Sequence, residues 1–336
     1  VAYETGSASD VADLVNKLFT FATGLTTKPW VQDELSTLQG TLHLDDCYVT
    51  FKWSNNPGEE HALGVFNSTG YSSSTPADDM PGDSGCGDAS NIDYYQERHV
   101  NFTDGEGNDN AGPFNAYHFF AGEGDNPYVY AVVESVAGVY RHFGFGNLEK
   151  TGDWTGGEFA YAHYWGAYED EPWRDRHAVM LDATENNRPD KAASMRVEGL
   201  PGQDPTSKWG VFIDSYYAND AGDDTAGNPR VPLAGTARTG GLTHYLGWIR
   251  ASKNGAYVPL IPIIAFYRDR EPTPEEWMWL GQMPGVFVVN IANFSPGDEF
   301  TRGGDTYKVF PLVRKQYLNS NTEETRHAGV AYLKVT

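Results

Sequence analysis

Pro127-Tyr-Val-Tyr-Ala-Val-Val-Glu-Ser-Val-Ala-Gly-Val-Tyr-Arg-His-Phe-Gly-Phe-Gly-Asn-Leu-Glu-Lys150 is the stretch on which the fold turns. Tyr128–Ser135 and Val139–Phe145 are rich in β-branched and aromatic residues, with Gly138 between them. Such side chains fit a pleated, buried surface, and glycine interrupts it, so the stretch reads as two strands. Working outward, the same texture recurs at Asn115–Phe120, Glu158–Trp165, Ala178–Leu181, Trp209–Asp214 and Leu242–Arg250. It continues at Ile261–Tyr267, Val286–Ile291, Thr306–Phe310 and Gly329–Val335. The first clear strand on the N-terminal side is Cys47-Tyr-Val-Thr-Phe-Lys-Trp53, which carries Tyr48, Phe51 and Trp53.

Helix signals are few. Val11, Leu14, Val15, Leu18 and Ala22 form one helical stripe, with Asp10 as N-cap and Gly24 as the stop. So short an amphipathic helix must dock, either on its own body or on a neighbouring subunit. A second short helix is expected near 274–281. Thr273 would cap it, Pro274 fits its first turn, and Glu276 takes the capping-box position; Gly281 and Pro284 limit it. So few helices rule against βαβ units. The expectation is a mainly β chain with mixed β-sandwich or barrel-like sheets, long loops and two short helices.

The 336 residues are 40% hydrophobic and 14% aromatic, enough for a sizeable core. The net charge of −22 argues against wrapping nucleic acid or binding an acidic membrane. The longest nearly apolar run, Tyr257 to Tyr267, contains Pro259 and Pro262 and falls short of the ~20 residues of a spanning helix. Val1-Ala2-Tyr3-Glu4 shows no basic region followed by an apolar stretch, so no secretory signal is expected. Cys47 and Cys86 make no disulfide framework. Two free thiols are expected, with a single bridge as the alternative.

The charge is uneven: residues 1–225 carry a net −25 and residues 226–336 a net +3. Together with interruptions near 200–230, this divides the chain into three parts. They are an arm and helix (1–24), an acidic β-rich body (25–225) and a near-neutral β-rich part (226–336), with a single domain as the alternative. Arg238, Arg250, Lys253, Arg268, Arg270, Arg314 and Lys315 form a candidate cationic flank that would meet an acidic neighbour. Val11, Leu14, Val15 and Leu18 are expected to dock the arm at an oligomer interface.

The long polar loops at 67–90, 103–113, 182–191 and 218–239 offer only faint chemistry. Asp104, Glu106 and Asp109 alternate like calcium ligands, and Asp220, Asp223 and Asp224 form a second acidic loop. An EF-hand, however, needs glycine where Asp109 stands and glutamate where Asn115 stands. Solvated turns are the plainer reading, and no cofactor is expected. His118, His142 and His163 fall in neighbouring strand candidates and could cluster around zinc, though buried structural histidines are commoner. No phosphate-binding loop and no Gly-x-Ser-x-Gly elbow is present. Trp154, Trp165 and Trp173 could stack on sugars, against the plainer reading of core packing. No catalytic set emerges, and the chain is not expected to be an enzyme.

Tyr3-Glu-Thr-Gly-Ser-Ala-Ser-Asp-Val-Ala-Asp-Leu-Val-Asn-Lys-Leu-Phe-Thr-Phe-Ala-Thr-Gly24 resembles the opening of tailed-bacteriophage virion structural proteins. These begin with an extended Thr-Gly-rich arm and a leucine-rich helix. The 127–150 stretch with Trp154-Thr-Gly-Gly157, and Gly285-Val-Phe-Val-Val-Asn with Gly303-Gly-Asp-Thr-Tyr-Lys-Val-Phe310, agree with that family. The resemblance implies a virion component of the neck or collar, the tail or the baseplate. Such a component is made in the host cytoplasm and assembles as a ring of its own copies beside other virion proteins. A carbohydrate-binding receptor-recognition protein of the tail or baseplate is the alternative.

Overall fold

A computed structural model describes residues 2–53, 62–77, 79–82, 99–102, 110–162, 164–165, 177–178, 193–200, 209–213, 230–232, 258–269, 276–311, 315 and 328–334. The chain is mainly β, with three antiparallel-dominated sheets and one helix among these residues. The central sheet has eight strands in the order β1-β7-β8-β9-β11-β14-β15-β16. These are β1 (Ala2–Ala8), β7 (Phe114–Gly122), β8 (Tyr128–Val136), β9 (Val139–Asn147), β11 (Thr155–Ala162), β14 (Ala193–Glu198), β15 (Trp209–Ile213) and β16 (Arg230–Pro232). A five-stranded sheet runs in chain order through β2 (Val31–Leu35), β3 (Gln39–Leu44), β4 (Cys47–Trp53), β5 (Ala62–Ser68) and β6 (His99–Asn101). The third sheet contains β10 (Glu149–Lys150), β17 (Ile261–Asp269), β18 (Glu276–Asn290), β19 (Glu299–Arg302), β20 (Asp305–Pro311) and β21 (Ala328–Lys334). A two-stranded ribbon joins β12 (Tyr164–Trp165) to β13 (His177–Ala178).

Alternation along β8 explains how the layers stack. Tyr128, Tyr130 and Val132 point to one face, where they share a core with Ile261, Ile263, Val286, Val288, Phe310, Val330 and Tyr332 of the third sheet. Val129, Ala131 and Val133 point to the other face. There they meet Leu42, Val49, Phe51, Trp53, Leu63 and Val65 of the five-stranded sheet. The central sheet is therefore covered on both sides, which is why 128–133 reads as an unbroken apolar run rather than an alternating one. Three stacked open sheets follow, a sandwich with one extra layer, and none of the described sheets closes into a barrel. Each fully buried Val, Leu or Phe contributes about 1.5–3 kcal/mol of transfer free energy.

The packing of the third sheet on the central one leaves no room for a side chain at Gly285. Its φ of +68° already favours glycine, and a Cβ there would stand 2.0 Å from the Tyr128 hydroxyl. This close approach accompanies a neighbouring tie, in which the Tyr130 hydroxyl donates to the Pro284 carbonyl at 2.9 Å.

The helix α1 (Val11–Thr23) forms where its caps predict. Asp10 is extended, and its carboxylate accepts from the Asp13 amide at 2.8 Å; the Gly24 amide returns to the Thr20 carbonyl at 3.0 Å. Its apolar face does not wait for a neighbour. Val11, Leu14, Val15 and Leu18 are buried in the chain's own core, with Phe19 against Phe51 and Phe21 against Phe119. The expectation that these four residues form an oligomer interface is corrected, because the central and five-stranded sheets already cover the stripe. The preceding arm is β1, paired antiparallel with β7 from Ala2↔Ala121 to Ala8↔Phe114.

The second helix is also corrected. Residues from Glu276 onward extend as β18, pairing with β17 as Asp269↔Glu276, Arg268↔Trp277, Tyr267↔Met278 and Phe266↔Trp279. Two helical turns would supply few hydrogen bonds against a costly nucleus, whereas the aromatic run gains a full strand partner.

Candidate functional site

The cationic flank is only partly within the described residues. Arg238, Arg250, Lys253, Arg270 and Arg314 lie outside them. Arg268 stands in β17, opposite Trp277 in register. Lys315 is committed internally: its ammonium donates to the Ala292 carbonyl at 3.1 Å and to the Phe294 carbonyl, holding the loop that leaves β18. The calcium candidates Asp104, Glu106, Asp109, Asp220, Asp223 and Asp224 all lie outside the described residues, as does Cys86. Cys47 is a free, buried thiol, and burial pushes its ionisation well above the usual range.

His118 and His142 are brought into one row, each standing opposite Val132 of β8 from the strands on either side, while His163 lies outside the described residues. Both described rings are bound by protein groups. His142 is fully buried, with Nε2 2.9 Å from the Pro311 carbonyl and Nδ1 2.8 Å from the Tyr332 hydroxyl. A carbonyl can only accept, so the proton sits on Nε2 and Tyr332 donates to Nδ1. His118 Nδ1 shares a hydrogen bond with the Tyr3 hydroxyl at 2.8 Å. Among the described residues no three His, Cys, Asp or Glu side chains converge as metal ligands.

Tyr3 is the centre of a clasp that sequence reading missed. The Lys334 and Lys308 ammoniums lie 4.9 and 5.7 Å from its ring centroid, within cation–π range. Both lysines also reach Glu299, at 2.9 and 3.2 Å. The hydrogen bond from Lys334, joined by Lys308, holds the Glu299 carboxyl below its usual range. Burial, with the Lys308 cation beside it, lowers His118 to about 4. Residues from β1, β7, β19, β20 and β21 thus meet at one point, and the arrangement ties the central sheet to the third.

A second polar pair sits at the free edge of the five-stranded sheet. The register of β2 against β3 shifts between Gln32 and Glu34, so Asp33 is the bulged residue. Its carboxylate reaches His43 Nδ1 at 2.6 Å, and the imidazole stacks on Tyr48. The bulge re-aims one side chain, and the pair fixes an imidazole as an acid–base dyad would. His43 stands opposite Val31 and Tyr48 in register, and neither supplies an activated nucleophile.

The exposed surface carries four large apolar side chains among the described residues: Val31, Leu38, Met278 and Trp279. Val31 and Leu38 lie at the start of β2 and in the turn after it. Met278 and Trp279 are consecutive in β18, 36% and 48% exposed. The Trp279 indole N–H is satisfied by the Gly281 carbonyl at 3.0 Å, which leaves the ring itself as the surface offered. Trp154, by contrast, is buried and donates to the Leu280 carbonyl at 3.2 Å, so it does not present a sugar-stacking face. Trp165 belongs to β12, and Trp173 lies outside the described residues. No protein-family model and no curated protein matches this chain.

Proposed function

We propose that this chain is a structural component of a tailed-bacteriophage virion, acting in the neck or collar or the tail through contacts with its own copies and other virion proteins. The observation that carries the reading is the half-exposed Trp279 indole on the third sheet, within the part of the chain whose net charge is +3. A half-exposed tryptophan is the kind of side chain that anchors an interface hot spot. The strongly acidic remainder supplies a complementary surface on the next copy, as a head-to-tail ring requires. The two described central-sheet histidines are consistent with a building block, since His142 is tied to the Pro311 carbonyl and the Tyr332 hydroxyl and His118 to the Tyr3 hydroxyl. The reading gives the chain no catalytic step, no cofactor and no hold on nucleic acid or membrane, and it places the protein in the virion.

Sedimentation of the purified protein tests this. Self-association that strengthens with concentration, weakens with salt and is lost in Trp279→Ser, with the melting temperature unchanged, is the expected result. A monomer at all concentrations, alone and with its neighbouring virion proteins, would refute it. Trp279 also favours a second reading, a glycan-binding tail or baseplate protein, because a half-exposed indole can stack on a sugar ring. Binding on a glycan array that disappears in Trp279→Ser would select that reading instead.

A further inference from the structure

Glu158 and Asn147 stand directly opposite each other on β11 and β9. Both face the five-stranded sheet, because the flanking Phe145, Ala160 and Ala162 belong to that side of the core. Glu158 Oε2 and Asn147 Oδ1 are both buried, and neither has a hydrogen-bond partner. Two buried acceptors without partners on opposed residues are unfavourable, costing about 1–3 kcal/mol each in general. One proton removes the conflict, since a protonated carboxyl is a donor.

The surrounding charges leave room for that proton. Arg196 of β14 is the natural counter-ion, but its Nε makes a 2.6 Å bond to Glu198, and its nearest nitrogen lies 3.6 Å from Glu158 Oε1. Lys150 of β10 adds a weaker attraction, while Asp46, in the turn between β3 and β4, repels. Cys47 of β4 is also within electrostatic reach of Glu158, and its thiol lies 3.9 Å from the Gly146 carbonyl. Burial outweighs the hydrogen bond from Glu158's own backbone amide and the two cations, so the Glu158 carboxyl titrates above its ordinary value of 4.5.

We propose that Glu158 carries a proton in the folded chain and donates it to Asn147 Oδ1, forming a cross-strand latch between β11 and β9 of the central sheet that is closed in acid and released as pH rises. On release the proton goes to solvent. The carboxylate then faces the Asn147 carbonyl oxygen and the Asp46 charge, and the contact between β11 and β9 weakens. The linkage has a definite sign. A carboxyl whose folded value is raised contributes stability that is full below the unfolded value and is lost as pH rises through the folded one.

The experiment is urea unfolding of the full chain across pH, comparing wild type with Glu158→Gln, whose amide can donate to Asn147 at every pH. The ratio of the two unfolding constants should be flat in acid. Above the ordinary glutamate value it should rise against the wild type, with a slope approaching about tenfold per pH unit, the mark of one proton. A ratio that does not change with pH overturns the proposal, because it means an ionised carboxylate facing a rotated amide. Asn147→Asp tests the contact itself. A second acid there should raise the apparent midpoint, and an unmoved midpoint also overturns the proposal. If Glu158→Gln fails to fold, infrared spectra of wild type still decide. A buried carboxylic C=O band that persists above the ordinary glutamate range supports the latch, and its absence refutes it.

Discussion

Replacing His142 by phenylalanine should be among the most damaging conservative changes in this molecule. The ring is fully buried between the central and third sheets and bonds to β20 through the Pro311 carbonyl and to β21 through Tyr332. Phenylalanine keeps the stacking on Tyr332, whose ring centroid lies 5.9 Å away, but loses both hydrogen bonds. Each lost bond strands a buried polar group at about 1–3 kcal/mol, so the expected cost is about 2–6 kcal/mol. Tyr332→Phe breaks only one of the two bonds, at about 1–3 kcal/mol. The double variant should therefore cost less than the sum of the singles by about 1–2 kcal/mol, the coupling of the shared bond. Urea unfolding of the four proteins, followed by fluorescence, measures all of these quantities. A His142→Phe cost below about 1 kcal/mol, or strictly additive singles, would refute the assignment of the Nε2 proton and of the bond it supports.

Other outcomes follow from the same packing. Leu18→Ala should cost about 3 kcal/mol, in the range for emptying a buried leucine site, and the loss should not change with protein concentration, because the chain's own sheets cover the helix. A concentration-dependent loss would return the helix to a subunit interface. His118 titrates near 4 in the fold against 6.5 when free, so its neutral form is favoured. Its contribution is complete above about 6.5 and is lost as pH falls towards 4, and acid unfolding should be correspondingly shallower in His118→Gln. This slope opposes that of Glu158, so only the variant comparisons separate the two.

The legible parts of the fold were those set by neighbours in sequence. The α1 caps at Asp10 and Gly24 lie within one turn of the groups they bind, and the strands from Phe114 to Ala162 follow one another by short connections. The helix expected near 274–281 failed for the same reason in reverse. Thr273, Pro274 and Glu276 are local signals, and they lose to the pairing of β18 with β17. β1 escaped notice because Tyr3-Glu-Thr-Gly-Ser-Ala8 is small and polar, and its partner β7 lies more than a hundred residues later. The clasp around Tyr3 draws on His118, Glu299, Lys308 and Lys334, and no sequence spacing links these. Glu158 and Asn147 are opposed only through the strand register. The charge division marked a basic third of the chain, but of its nominated residues Lys315 is spent on loop carbonyls. Met278 and Trp279, two of the four large apolar side chains exposed among the described residues, sat inside the misread helix.

The double coverage of the central sheet also bears on how the protein is made. Phe120, Tyr128, Tyr130 and Tyr161 form half of a core whose other half is supplied by residues from 261 onward, and Tyr3 waits for Lys334. At about 5–20 residues per second, a ribosome leaves that aromatic face uncovered for on the order of ten seconds or more. Contacts of such long range also make for slow folding after release. A chain halted before Ile261 would be left with one complete core and one bare aromatic wall, and aggregation is its natural fate. Synthesis, rather than the folded state, is the stage at which this architecture is most vulnerable.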